Sequence, residues 1–283
     1  MARKQFLSFL LIFSLLISCA SALAEADDDD DWDDNVDDAW EMEHPLHSGD
    51  YAYALLDDGT VEITSYGGAD TEIVIPDTLD GKPVTAIGER AFYYSLSLTS
   101  VTIPDSVTSI GNSAFSDCSS LATVTLPASI SEISDHLFFA CDVLSSVNIP
   151  DSVTRIGESA FASCDQLHTI DIPDSVTIID HGAFQLSGIT SVSIPNSVTT
   201  IGNGAFSYCD TLTDVTLPGS LTEIGYMTFA HSLSLTSITI PASVTFIDND
   251  AFKYHNSLTL TVTPDSYAEE YAKARKIDYT YPD

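Results

Sequence analysis

Eight prolines, Pro104, Pro127, Pro150, Pro173, Pro195, Pro218, Pro241 and Pro264, recur through the chain at a step of 23 residues, with one interval of 22. Eight phenylalanines, Phe92, Phe115, Phe138, Phe161, Phe184, Phe206, Phe229 and Phe252, keep the same step. Two independent columns in register mean that one small unit is repeated, and such units stack so that each touches only its neighbours. Length therefore says little about domain count, because stacking can extend one domain indefinitely. Written from residue 98, the unit reads Leu98-x-x-Val101-x-Ile103-Pro104-x-Ser106-Val107-x-x-Ile110-Gly111-x-x-Ala114-Phe115-x-x-Cys118. The first unit carries five extra residues, 79–83, and the region 185–188 lacks one, which predicts a pinched turn there.

Elementary chemistry explains the unit. Val101 and Ile103 alternate with Ser100 and Thr102, so the branched residues face inward and the hydroxyls outward on a short strand. Pro104 ends that strand, since it fixes φ and has no N–H to donate. Val107 and Ile110 turn inward again, Ile-Gly marks a tight corner, and Ala-Phe places a ring between neighbouring coils. A single unit buries too little apolar surface to offset the entropy of ordering its backbone, whereas stacked units cover each ring from both sides.

These residues resemble the BspA-like branch of the leucine-rich repeat family, with the core pattern running from about residue 74 to about residue 260. The resemblance implies an α/β-type leucine-rich repeat solenoid, mostly β with short turn or 3-10 segments, coiled right-handed with parallel strands. Where roles are known in that family, it also implies secretion or attachment to a bacterial surface and adhesion to matrix proteins or other cells. It implies no cofactor and no catalytic chemistry.

About eight coils over 74–263 need caps at both ends. Upstream, 51–56 and 60–66 flank Asp57-Asp58-Gly59, an Asp-Gly hairpin signal that places an N-terminal β-hairpin cap over 49–73. Downstream, Leu260 and Val262 shift the alternation by one relative to Pro264, so the last strand is expected to leave the repeat. Ser266 with Glu269 is a capping box, and Glu269 with Lys273 a favourable i,i+4 pair. A helix over about 267–276 and a strand over 277–281 then form a C-terminal cap at 264–283.

Ahead of the fold, Arg3 and Lys4 precede an apolar run at 6–17 and then small residues, the pattern of a secretory signal at 1–24. Ala22-Leu23-Ala24 is an A-x-A cleavage site and the favoured reading. Leu16-Ile17-Ser18-Cys19 resembles a lipobox, which would lipidate Cys19 and supply the only membrane contact. Either reading places the protein outside the cell or on a bacterial surface. The stretch 25–48 reads as an acidic disordered spacer, since 25–43 holds nine Asp and three Glu with no Lys or Arg. No Ca²⁺-loop pattern occurs there, and Glu41, Glu43, His44 and His47 make an incidental rather than a built metal site. The whole chain has 42 acids against nine bases, a formal charge of −33, which excludes a nucleic-acid binder that works through backbone phosphates.

His136, His168, His181, His231 and His255 occupy five different columns, and no hydrolase, phosphate-loop or dinucleotide motif appears, so no catalytic residue is assigned. Cys118, Cys141, Cys164 and Cys209 all follow a Phe by three residues, at a position that is Ser or His in other coils. This reads as a small buried slot filled by free thiols; one disulfide among Cys118, Cys141 and Cys164 is the alternative.

Two surfaces are candidates for binding. On the polar strand wall, Asn148, His168, Asp171 and Asp214 are the distinctive members and suit a glycan or a basic peptide. Two residues after each Phe, the last four coils carry Leu186, Tyr208, His231 and Tyr254, with Tyr226 and Phe246 on other exposed-looking columns of the same half. Aromatics on successive coils form an amphipathic stripe of the kind interfaces use; the alternative is that the rings fold over the turn and cover the core edge. The expected function is a monomeric, secreted or surface protein that presents a binding face to an extracellular protein, in adhesion or co-aggregation. A structural envelope spacer and a glycan-binding accessory protein are the alternatives.

Overall fold

The computed structural model describes residues 45–255 and 257–282, which belong to one compact unit, Pro45–Asp283. The signal at 1–24, Cys19 and the acidic run at 25–43 lie outside the described residues.

Each coil supplies a rung to two parallel ladders. The first begins with Glu72–Val74, Ser100–Thr102, Thr123–Thr125 and Ser146–Val147, in register as Val101↔Val124 and Val124↔Val147. It continues through the pair Ser191–Ser193 and Asp214–Thr216, then through Ser237–Thr239, Thr259–Thr261 and Asp278–Thr280. The rung expected at 169–171 has no strand geometry, so the ladder is interrupted there. The second ladder runs unbroken across that point, through Glu132–Ile133, Arg155–Ile156, Ile178–Ile179 and Thr200–Ile201. The eight proline-marked coils gain a rung at each end, giving about ten turns. The segments between rungs are turns, and among the described residues none is a 3-10 helix.

The phenylalanines form one continuous stack through the core, with neighbouring ring centroids 4.9 to 6.0 Å apart from Phe92 to Phe252. Both caps extend it. Tyr66 stacks on Phe92 at 5.3 Å, and Tyr271 lies 6.4 Å from Phe252. Inward alternation on the strands is as the sequence predicts, with Val101 and Ile103 buried. The Ile-Gly glycines have a different cause from a tight corner. A Cβ on Gly111 would lie 2.5 Å from the Glu89 nitrogen, and one on Gly202 2.4 Å from the His181 nitrogen, so these glycines let successive backbones approach closely. The shortened turn at 185–188 is pinched as expected, since a Cβ on Gly188 would lie 1.9 Å from the Asp165 carbonyl oxygen.

At the N-terminal end, β1 (Leu46–Ser48), β2 (Tyr51–Leu55) and β3 (Val61–Tyr66) form an antiparallel meander. β1 uses residues that the sequence reading assigns to the acidic spacer. After β4 (Glu72–Val74), the five extra residues build a second Asp-Gly hairpin between β5 (Thr78–Leu79) and β6 (Lys82–Ile87). Asp80 and Gly81 both have positive φ, 50° and 78°. β3 then pairs in parallel with β6 and so joins the second ladder. The Asp80 carboxylate accepts from Tyr53 Oη at 2.7 Å and Ser48 Oγ at 2.8 Å, which ties the insertion to the meander.

At the other end, Thr259–Thr261 does not leave the repeat. It keeps the register Ile238↔Leu260, and the additional residue is Thr263, between Val262 and Pro264. Hydrogen-bond register, not distance to the proline, sets the strand. Helix α1 (Tyr267–Arg275) follows, and the Glu269 N–H donates to Ser266 Oγ at 3.3 Å. The Glu269 carboxylate reaches the Asp265 N–H at 2.7 Å, one residue before the cap. Lys273 Nζ and Tyr281 Oη also donate to it, and these bonds together hold its pKa down at about 2.

Candidate functional site

The turn after each Phe places two adjacent residues in opposite roles. The residue two after Phe, from Tyr94 to Tyr254, is left-handed in all eight coils, with φ between 56° and 72°. Its N–H donates to the next coil's backbone, as in Tyr208 to Ala230 O at 2.8 Å and His231 to Lys253 O at 3.0 Å. In the last coils the side chains of this column meet. The Tyr208 and His231 rings stack at 4.2 Å and 11°, and the His231 and Tyr254 rings at 4.0 Å and 29°. Tyr254 remains 53% exposed, Leu186 continues the column as an exposed side chain, and Lys253 Nζ stands 5.4 Å from the Tyr254 ring centre. Tyr226 is exposed and close enough to Lys253 to contribute to that amine's raised pKa, after the larger effect of Asp250. Phe246 stands apart, exposed on the second ladder opposite Glu223.

In six coils the residue three after Phe points inward and donates to the carbonyl of the preceding coil's Phe, while Ser187 pairs with Cys209 Sγ at 3.6 Å. Cys118, Cys141, Cys164 and Cys209 each reach the oxygens of Phe92, Phe115, Phe138 and Phe184 at 3.1 Å. Ser232 and His255 do the same to Phe206 at 2.7 Å and Phe229 at 2.8 Å. The four thiols are free and buried, and burial pushes their pKa values up, to about 12 for Cys118 and Cys209. They are closed to thiolate chemistry. The sequence identifies a small buried slot; its hydrogen-bonding duty appears only once the coils are in register. This column lines the edge of the core, and Tyr208 and His231 lie half-buried beside it.

The polar wall is less concentrated. Asn148 and Asp171 share one column and Asp214 lies in another, two coils further on, all exposed. His168 Nδ1 sits 3.1 Å from the Gly188 carbonyl and braces the pinched turn. Hydroxyls in the turns stitch coils together. Ser152, Ser175, Ser220 and Ser243 donate to backbone carbonyls of the preceding coil at 2.6 to 2.8 Å.

Two features escape sequence reasoning. Arg155 is the only base between Arg90 and Lys253, and it gathers Glu132 at 3.1 Å, Asp135 at 2.6 Å and Asp180 at 2.9 Å. Partial burial alone would lower its pKa, but the bonds to Asp135 and Asp180 raise it. Its isolation in the sequence was the available signal. Tyr93, Tyr94 and Leu96 form an exposed apolar group at the N-terminal end, and Tyr94 occupies the same column as Tyr254. A cavity of about 180 Å³ near the C-terminal cap is lined by His255, Ser257, Arg275, Lys276 and Asp278, among others; it is smaller than small-molecule sites usually are. Among the described residues, no group of three or more His, Cys, Asp or Glu is arranged to hold a metal ion. No helix among them is long and apolar enough to cross a membrane.

Parallel rungs, a phenylalanine stack and one short helix at the end define the class: a leucine-rich repeat solenoid. The family model of the BspA type leucine rich repeat region matches residues 85–209 and 177–271, about two thirds of the chain. The chain belongs to that family. Among solved structures, a leucine-rich repeat protein from Bacteroides ovatus is 28% identical with a TM-score of 0.56, covering 76% of this chain and 55% of the other. The T. pallidum leucine rich repeat protein is 27% identical with a TM-score of 0.50, covering 84% and 98%. A leucine rich cell surface protein from Faecalibacterium prausnitzii is 26% identical, covering 84% and 95%, with a TM-score of 0.44. No match was found among curated proteins.

Proposed function

We propose that this protein is a secreted or surface-tethered solenoid that displays a binding face to an extracellular protein, in adhesion or co-aggregation, and that it performs no catalysis. One observation carries the reading: Tyr208, His231 and Tyr254 stack into a continuous aromatic column on the outside of three successive coils. Cys209 and Ser232 in the column beside it are already buried, and Tyr254 at the end of the stack stays 53% exposed. Tyr208 and His231 are half-buried beneath it, and aromatics in register on a rigid scaffold are the usual anchors of protein interfaces. Family membership supports the reading, since stacked repeats offer extended surfaces. The polar wall lacks aromatic or Arg anchors, which places glycan binding second.

A pull-down with a panel of extracellular-matrix proteins and glycans tests this. Saturable binding to a protein is expected from the wild-type chain and not from the Tyr208→Ser, Tyr254→Ser double variant. Absence of any saturable binding would favour a structural spacer, and binding to glycans alone would favour the polar wall. Acyl labelling of wild type and Cys19→Ser separates the exports, since label on Cys19 contradicts simple secretion.

A further inference from the structure

We infer that the aromatic column takes a cationic partner, and specifically that it stacks the guanidinium of an arginine-bearing segment of a partner protein. The inference rests on the column being the binding face, and goes beyond it by naming the partner's chemistry.

Three observations converge. First, charge: between Arg155 and Lys253 the chain carries ten acids and no base, so the coils holding Leu186, Tyr208 and His231 present only negative charge. A positively charged segment is drawn to such a surface and an acidic one repelled. Second, the rings already hold a cation. Lys253 Nζ stands 5.4 Å from the Tyr254 ring centre, and the Asp250 carboxylate holds that amine at 3.1 Å. Arg90 over Tyr93 at 6.0 Å and Lys273 over Tyr279 at 5.8 Å repeat the arrangement at the two ends. Third, shape: the rings stack face to face at 4.0 and 4.2 Å, and the last of them keeps 53% of its surface exposed. A planar guanidinium continues such a stack better than a compact ammonium. Asp210 lies exposed two residues after Tyr208, and the Asp250 carboxylate that holds Lys253 Nζ adds negative charge near Tyr254.

The test uses the full chain and synthetic peptides of three arginines spaced by Gly-Ser, with lysine and glutamine counterparts, followed by amide NMR and titration calorimetry. The arginine peptide is expected to shift His231, Lys253 and Tyr254 and to bind more tightly than the lysine peptide, while the glutamine peptide has no effect. Tyr254→Leu, which leaves the charge unchanged, is expected to weaken the arginine peptide about two- to five-fold, and Tyr254→Phe to restore it. Lys253→Gln removes the resident cation and is expected to tighten binding more than Lys276→Gln, an equal charge change elsewhere. Equal binding by wild type and Tyr254→Leu, or shifts spread over the acids with the column silent, would overturn the inference. A panel protein captured through the column but not displaced by the arginine peptide would overturn it while leaving the binding face intact. Peptide shifts at the column without any protein capture would support the cation site and overturn the adhesion reading.

Discussion

Two columns run the length of the solenoid one residue apart and obey different rules. Three residues after Phe, the side chain in six coils gives a proton to the previous coil's carbonyl, and Cys, Ser and His all meet that requirement. Two residues after each Phe, the backbone is left-handed, the side chain turns outward, and Tyr, Asp, Ala, Ser, Leu and His all occur. The first column accepts few residue types because burial leaves an unpaired carbonyl costly. The second accepts almost any, because its only constraint is a backbone conformation that most side chains tolerate at some cost. A repeat protein can therefore carry a binding surface on positions adjacent to its core without disturbing the core.

The largest expected effect lies inside. Phe161 is fully buried between Phe138 at 5.6 Å and Phe184 at 5.5 Å. Phe161→Ala is expected to lower unfolding free energy by about 3–5 kcal/mol in urea titrations. At the inward column, Cys164→Val removes the donor to the Phe138 carbonyl and is expected to cost about 1–3 kcal/mol. Cys164→Ser keeps a donor and is expected to cost clearly less; equal losses would break the claim that hydrogen bonding defines this column. Smaller and local is the pH response of the C-terminal cap. The Glu269 pKa falls from 4.5 to about 2, held down first by Lys273, then by Tyr281 and the Asp265 N–H. A lowered folded pKa stabilises the cap above 4.5 and loses that contribution as pH falls towards 2. Helix α1 is therefore expected to fray over that window by amide exchange, and Glu269→Gln to remove that local dependence, whereas the coils respond through Asp180, which is also held low in the Arg155 cluster.

Much of this architecture is legible in the sequence because stacking turns spacing into contact. The Phe column, the inward alternation of Val101 and Ile103, the Asp57-Asp58-Gly59 hairpin and the capped final helix all rest on local patterns. What escaped depends on register between coils. Arg155 meets Glu132, Asp135 and Asp180 only after three coils align. Leu260 is out of step with Pro264, yet its place is set by pairing with Ile238. The left-handed turns have Gly only at Gly182 and Gly204 among the positions two before Phe, so the usual glycine signal is missing from most coils. Asp80-Gly81 carried a readable hairpin signal inside the five extra residues. For the candidate site, the sequence brings Tyr208, His231 and Tyr254 into one column and puts Phe246 on another, but does not show that the three rings stack.

The division between the columns is tested most directly by placing the same large side chain at two adjacent positions. Ser163→Tyr puts a ring where Tyr94, Tyr208 and Tyr254 already stand in other coils with closely similar φ, and Cys164→Tyr forces one into the buried slot. Urea unfolding is expected to change by less than about 0.5 kcal/mol for the first. For the second, overpacking together with the lost hydrogen bond is expected to cost at least about 2 kcal/mol. Comparable losses at both positions would contradict the account.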